Sequence, residues 1–559
     1  MKLLSIILFL FITSAYAQMS SQLQTLSKEF FEWRAITQPA SLDDIPRLER
    51  PDGWTADCSS KTIANYRKKY IEFSARLKDI PKTGWSRSDS VDFLLLHSAI
   101  ERVNWELNIL NLPETHPEFY FYQAVGSIFE LIVIHSPMDE YRAKNILIRL
   151  KAIPSIIKCA KENLTSPVQS FADIAIDMLD GMDKNVTASF EALKKDFPKY
   201  FSNKIDKDVQ NACDALNNYR AWLISGRDKM ETKFNVGRKD YDYFLRNIAF
   251  VPYSPEEMLE IGKAEWNRSV AFDTFEKLKN KNIPPAKLFS SSEEQIKQEE
   301  IDEEAIRKFL EEKDIMSVPG WVKHYWNKKI PDYVAPLAMM GVTDDLTFEN
   351  RLDENGISYI QEPSPDLSFF KLAIAHDPRP IIVHEGIPGH YFQLVRSWKN
   401  PDPVRRHYFD SNSNEGIGFY VEEMLLQFGL YDDRPHTRES IYSFMRLRAL
   451  RVDVDINLAL GNYSIQQGAD YLEKTVPMDK PTALAESRFF ASTPGQAITY
   501  QIGKSQILDL IADAKIQQGD KFNLKDYHDY MMINGNVPIA LQRWEYLGLR
   551  DEIEKMWPR

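Results

Sequence analysis

The stretch that decides the reading is Pro380-Ile381-Ile382-Val383-His384-Glu385-Gly386-Ile387-Pro388-Gly389-His390. A short apolar run leads into two histidines that bracket a glutamate. In the zinc-binding spacing H-E-x-x-H, the histidines at i and i+4 share one helix face and the glutamate is the general base. Here the second histidine stands at i+6. At about 100° per residue, a regular helix would aim it well away from the first. Both imidazoles reach one metal only if the helix bulges between them. Pro388 and Gly389 suit that bulge, because proline removes a ladder donor and glycine tolerates unusual dihedrals. The same residues also fit a helix ending at Ile387 with two unrelated surface histidines.

Residues further on weigh between these readings. Glu415 follows His390 by 25 positions, in Asn414-Glu415-Gly416-Ile417-Gly418-Phe419-Tyr420-Val421-Glu422-Glu423. Ile417, Val421, Met424 and Leu425 repeat there at helical spacing. A site with two histidines and one glutamate needs a carboxylate from a second helix packed beside the first. Glu415, with glycines beside it allowing close approach, fits as third ligand. Glu422, two turns on and on the same face, is placed to orient a histidine. Solvated helix charges are the plainer reading of both. Arg448, Arg451 and Asp455 lie at i, i+3 and i+7 and share a helix face, with Leu447, Leu450, Val454 and Leu458 on the apolar side. Arg448 and Arg451 are substrate-binding candidates, since guanidinium groups near a zinc cleft suit a peptide's terminal carboxylate. Alternatively, Arg451 pairs with Asp455 one turn on and only braces the helix.

Together these motifs resemble those of a bacterial family catalogued as domain of unknown function 885, whose HEAYPGHHLQ and EGWALYAE segments match HEGIPGHYFQ and EGIGFYVE here. The likeness continues through Leu447–Asp455, through Pro494–Gly503, and through Asp526–Asp529 with Gly535–Pro538. That family looks like a gluzincin, related in logic to angiotensin-converting enzyme and the oligopeptidases. The resemblance implies a mainly α, large helical metallopeptidase fold with a deep cleft and a few short β-strands. It implies Zn²⁺ on His384, His390 and Glu415, Glu385 as base, and a peptide as substrate, with carboxypeptidase or dipeptidyl carboxypeptidase action one form of it. Tyr500, in the P-G-Q-A-x-x-Y motif, is implied as the second oxyanion donor, with a merely packing tyrosine the alternative. An inactive peptide-binding relative, or a zinc hydrolase of another amide, would carry the same motifs. Three positions depart from the family pattern: Ile417 for an aromatic, Tyr391 for a histidine, and Ala459 for a histidine. The last bears on rate.

Elsewhere the chain sets bounds. Lys2, the apolar run Leu3–Thr13 and Ala15-Tyr16-Ala17 read as a secretory signal cleaved after Ala17, too short for a permanent anchor. That predicts a periplasmic or secreted protein. The 559 residues are 43% hydrophobic, enough for a large core, and the net charge of −12 argues against a nucleic-acid partner. The three cysteines permit one bridge, Cys159 with Cys213, or three free thiols. Helices are expected over Ser90–Asn111, Phe119–Ile134, Asp139–Glu162 (kinked or divided at Pro154), Val168–Met182 and Lys184–Asn235. A capped helix is expected from Ser254, and Ser292–Asp314 reads as an acidic surface helix. Short strands are expected at Val342-Thr343, Gly356–Ile360 and Leu367–Leu372. An N-terminal helical lobe over 18–250 and a zinc-binding catalytic lobe over 251–559 follow, as two lobes or one continuous domain.

Overall fold

The computed structural model describes residues 22–41, 47–344, 348–476 and 478–557. The signal-like segment 1–17 lies outside them. The protein is mainly helical, with 69% helix and 3% strand. The helices used below are α1 (Arg87–Asn104), α2 (Glu140–Asn163), α3 (Asp206–Gly226), α4 (Pro255–Asn280) and α5 (Ser292–Glu312). They continue with α6 (His390–Ser397), α7 (Ser411–Gln427), α8 (Pro435–Leu460), α9 (Lys480–Ser492), α10 (Thr499–Gln518) and α11 (Leu524–Asn534).

Local chemistry sets several boundaries. Ser254 caps α4 by accepting from Glu257 N, and Glu257 returns a bond to Ser254 N, with Pro255 at the first helical position. Pro154 sits inside an undivided α2. The expected helices Ser90–Asn111 and Phe119–Ile134 each run through a π-helical turn, Trp105–Ile109 and Tyr122–Gly126. In α5 the expected surface character fails. Ile306 and Leu310 are fully buried, and so is Glu303, which pairs with Arg307 and His324. Its acidic composition hid an inward face.

A three-stranded sheet, ordered β1-β3-β2, follows α5. The strands are β1 (Tyr325–Lys329), β2 (Thr343–Asp344) and β3 (Gly356–Ile360), with β1 parallel and β2 antiparallel to β3. Tyr325 pairs with Gly356, and Ser358 with both Asn327 and Thr343. β1 lies where no strand was expected. The expected strand at Leu367–Leu372 is instead a loop running into the helix Phe369–His376.

The core is divided among several apolar clusters. One joins Leu26, Phe30 and α1 residues to Val404, Tyr408, Val537 and Leu541. Another joins Trp105, Tyr241 and Ile248 to Val452, Ile456 and Ile502. Both bridge the expected lobe boundary near residue 250. α4 packs along α8, and α7 along α10. Cys58, Cys159 and Cys213 are all free thiols, so the proposed Cys159–Cys213 bridge is absent.

Candidate metal centre

The decisive stretch is two helices, not one bulged helix. Ile382–Gly386 widens into a π turn, closed by Ile387 N donating to Ile382 O at 2.9 Å. The Ile387–Pro388 peptide is cis, and a new helix, α6, begins at His390. At Gly389 a Cβ would fall 1.8 Å from the His384 carbonyl oxygen, so only glycine fits the break. The change of direction brings the imidazoles of His384 and His390 to 4.6 Å between ring centroids, nearly perpendicular at 72°.

α7 supplies the carboxylates. Asp410 caps it by accepting from Ser413 N at 2.8 Å. It is buried along most of its length, so two of its glycines have a packing reason. A Cβ on Gly416 would lie 2.7 Å from Gly503 Cα of α10. A Cβ on Gly418 would lie 2.7 Å from His390 Cε1 and 2.9 Å from His384 Cε1. The helix is thus pressed against α10 on one flank and against both imidazoles on the other.

Ligand atoms of His384, His390 and Glu415 all lie within 4.8 Å of one another. Glu415 Oε2 is 3.5 Å from His384 Nε2 and 3.3 Å from His390 Nε2. Neither approach has hydrogen-bond geometry, and Glu415 Oε2 is buried with no hydrogen-bond partner. His384 Nδ1 meets Glu422 Oε1 at 2.6 Å, which fixes the proton on Nδ1 and leaves the Nε2 lone pair facing Glu415. Lone pairs converging in a buried site are satisfied by a proton or by a cation between them. Two imidazole nitrogens and one carboxylate oxygen are a donor set that suits Zn²⁺.

The charges around His384 favour a second proton on its ring wherever no cation takes that place. Burial alone would lower the His384 imidazole, but the Glu415 and Glu422 carboxylates outweigh it and push it up to about 10. Burial would raise Glu415, yet the neighbouring His390 and His384 hold it well below the usual carboxylate range. Glu422 is likewise raised by burial and then held low by Arg448 and His384. Arg448 donates to Glu422 through both Nη atoms, at 2.8 and 3.0 Å.

The remaining candidates are placed as follows. Glu385 is half-buried beside His384, and its side chain makes no hydrogen bond or ion pair with any described residue. Tyr500, at the start of α10, stacks parallel to the His384 ring at 6.3 Å. The Arg451 and Arg448 guanidinium groups lie 4.7 and 5.5 Å from its ring centroid. Burial, and Glu415 nearby, hold its hydroxyl in the neutral form, far above ordinary phenol titration. Arg451 pairs with Glu486 of α9 at 2.6 Å and not with Asp455. Asp455 instead accepts from Gly495 N, Ala497 N and the Tyr241 hydroxyl, fixing the turn before α10. Glu486 carries no local sequence signal, since its partner is 35 positions away. Ala459 sits in an apolar cluster with Tyr241 and Ile456, roughly 16 Å along α8 from Arg448. Ala459 therefore belongs to the apolar core and not to the His384, His390 and Glu415 cluster. Tyr391 packs on Tyr325 and against Gly356, and Ile417 is core.

Two spaces lie in this part of the protein. A groove of about 490 Å³, walled by Phe370, Phe444 and Ile381, reaches Glu422 and Arg448. A separate cavity of about 120 Å³ is lined by Asn412 and Thr499.

Two solved structures share the fold. One, titled as a "putative lipoprotein" of unknown function from Shewanella oneidensis, matches with a TM-score of 0.71 and 16% identity over 93% of this chain and 99% of that one. A second so titled, from Colwellia psychrerythraea, matches with a TM-score of 0.74 and 17% identity over 97% and 99%. At such identities the likeness shows the fold alone. No curated protein matches the chain. The family model described as bacterial protein of unknown function, DUF885, matches residues 45–305 and 350–544, most of the chain, and the protein belongs to that family.

Proposed function

We propose that the protein is an extracytoplasmic, zinc-dependent hydrolase of peptide bonds. One observation carries the reading. Two imidazoles and a carboxylate from separate helices converge within 4.8 Å, with the outer nitrogen of His384 held by a buried carboxylate–guanidinium pair. His384, His390 and Glu415 would hold the ion, which supplies Lewis acidity to the scissile carbonyl and to water. Glu385 takes the proton from the attacking water and returns it to the leaving amine. The neutral Tyr500 hydroxyl donates to the oxygen on which negative charge develops. Glu422 keeps His384 in the tautomer that presents Nε2.

The terminal-carboxylate role of Arg448 and Arg451 is not part of this reading, because their guanidinium groups are engaged by Glu422 and Glu486. The extracytoplasmic setting rests on the signal-like N-terminus and on the lipoprotein titles of the two solved structures. The first cysteine here is Cys58, far beyond Ala17, so a lipid-bearing cysteine at the cleavage site is not proposed. No helix among the described residues is long and apolar enough to cross a membrane.

The experiment is metal analysis of the purified protein together with turnover of a peptide mixture read by mass spectrometry. About one zinc per chain and new peptide ends are expected. Glu385→Gln should keep the zinc and lose about 10²- to 10⁴-fold in turnover. Unchanged turnover in that variant would remove the mechanism, and wild-type protein without zinc would remove the site.

A further inference from the structure

The Tyr500 hydroxyl makes no hydrogen bond with any described residue, so the backbone of α10 and the contacts of its ring decide where it stands. One ring contact is the His384 imidazole, nearly parallel at 12° and 6.3 Å away. The others are two guanidinium groups from one stretch of α8, Arg451 at 4.7 Å and Arg448 at 5.5 Å from the ring centroid. A guanidinium lying over a tyrosine ring is attracted by the negative face of the ring. It holds the ring only as firmly as it is itself held.

Each guanidinium is held by a carboxylate from another helix. Arg448 is paired with Glu422 of α7. Arg451 donates from Nε to Glu486 of α9 at 2.8 Å, and its Nη2 lies 2.6 Å from the same oxygen. Phe490, one turn beyond Glu486, and Phe370 stand 5.6 and 5.8 Å from the Arg451 guanidinium. Arg451 is 6% exposed, and Glu486 is the one carboxylate paired with it among the described residues. A buried guanidinium that loses its carboxylate is left uncompensated, and moves to regain water or another partner.

The two pairs differ in what else they touch. Glu422 also meets His384 Nδ1, so a change there alters a candidate ligand directly. Glu486 has no hydrogen bond or ion pair with His384, His390 or Glu415. Its path to the centre runs through Arg451 to Tyr500.

We propose that Glu486 is a positioning residue: by fixing Arg451 against the ring, it holds the Tyr500 hydroxyl where it donates to the developing oxyanion. The consequence for turnover rests on the peptide-hydrolase reading, whereas the placement of the ring does not.

The test uses the full-length mature protein with its metal. Fluorine NMR of protein labelled with 3-fluorotyrosine reads the ring without turnover. The resonance missing from Tyr500→Phe belongs to Tyr500, and Glu486→Gln should shift it while leaving most other tyrosine signals and the zinc content unchanged. With the peptide that wild type cleaves fastest from the mixture, Glu486→Gln should lower kcat about 10- to 100-fold and leave KM within about threefold. In the Tyr500→Phe background the same change should cost less than about threefold, because the hydroxyl it places is already gone. An unmoved Tyr500 resonance would overturn the proposal, and so would an unchanged kcat or a loss equally large without the hydroxyl. Should Glu486→Gln fail to fold, Arg451→Lys, which keeps the charge but not the two-pronged pair, takes its place in each arm. Failure of the hydrolase reading looks different: wild-type protein then lacks zinc and leaves peptides intact, and the fluorine spectra alone decide on Glu486.

Discussion

At the scale of single residues, the centre depends on which proton sits where. Glu422 is 1% exposed and lies between His384 Nδ1 and Arg448, so its charge fixes the tautomer of a ligand it never replaces. Outer partners of this kind typically contribute 10- to 100-fold in metal affinity. Glu422→Gln should therefore weaken zinc binding by about that factor, measured by competition with a chelator, while Glu415→Gln should lose more. Equal affinity in wild type and Glu422→Gln would mean that the 2.6 Å contact does not orient the imidazole. Tyr500→Phe tests a group of another kind. In the proposed mechanism its hydroxyl serves only where charge develops, so kcat should fall by about 10- to 10³-fold with KM and zinc content nearly unchanged. A change confined to KM would return Tyr500 to packing. Glu423, next to Glu422, serves a different structure: it closes an ion network with Lys504, itself fully buried, and Arg268.

At the scale of elements, the site is made by close helix approach, and glycines set the distances. Gly418→Ala would push a methyl to within 3 Å of both imidazoles, whereas Gly503→Ala would drive one into the Asn412 carbonyl at 2.1 Å. The first should lose most of its zinc while keeping a cooperative unfolding transition. The second should lower Tm by several degrees, because overpacking a fixed helix contact costs about 1–3 kcal/mol. Similar zinc loss without destabilisation in both would show that α7 and α10 can slide. This is also where sequence reading reached its limit. His384, His390, Glu415 and Glu422 could be picked out because their spacing encodes a face-to-face relation within or between neighbouring helices. The partner of Arg451 could not, because Glu486 comes from another helix with no periodic relation to it. The buried face of α5 was hidden by composition: its inward Glu303 is matched by Arg307 and His324, and only the packed structure shows that. β1 was missed for a related reason. Its pairing with β3 is parallel and non-local, and Tyr-Trp-Asn-Lys-Lys has little apolar alternation to announce it.

At the scale of the whole molecule, residues far apart in sequence close around the centre, and their polar ties fix how the protein responds to acid. His528 of α11 is fully buried; its Nδ1 donates to Ile315 O at 2.8 Å, and the Tyr420 hydroxyl of α7 donates to its Nε2 at 2.9 Å. One imidazole thus joins α11, α7 and the segment after α5, and it must stay neutral because Nε2 is accepting. Burial lowers it to about 4, against about 6.5 in the unfolded chain. Between those values the unfolded state binds a proton that the native state refuses, so this contribution falls as pH drops through that window. The loss should be on the order of 3 kcal/mol at pH 4 and absent above about pH 7. Other buried acids titrate in the same range, so the informative quantity is a difference between proteins. Wild type should exceed His528→Gln in unfolding free energy at pH 7.5, and that margin should shrink steadily towards pH 4.5, measured by urea unfolding at each pH. A margin that stays constant with pH would mean that His528 is protonated in the native protein, and that its bond to Tyr420 runs the other way.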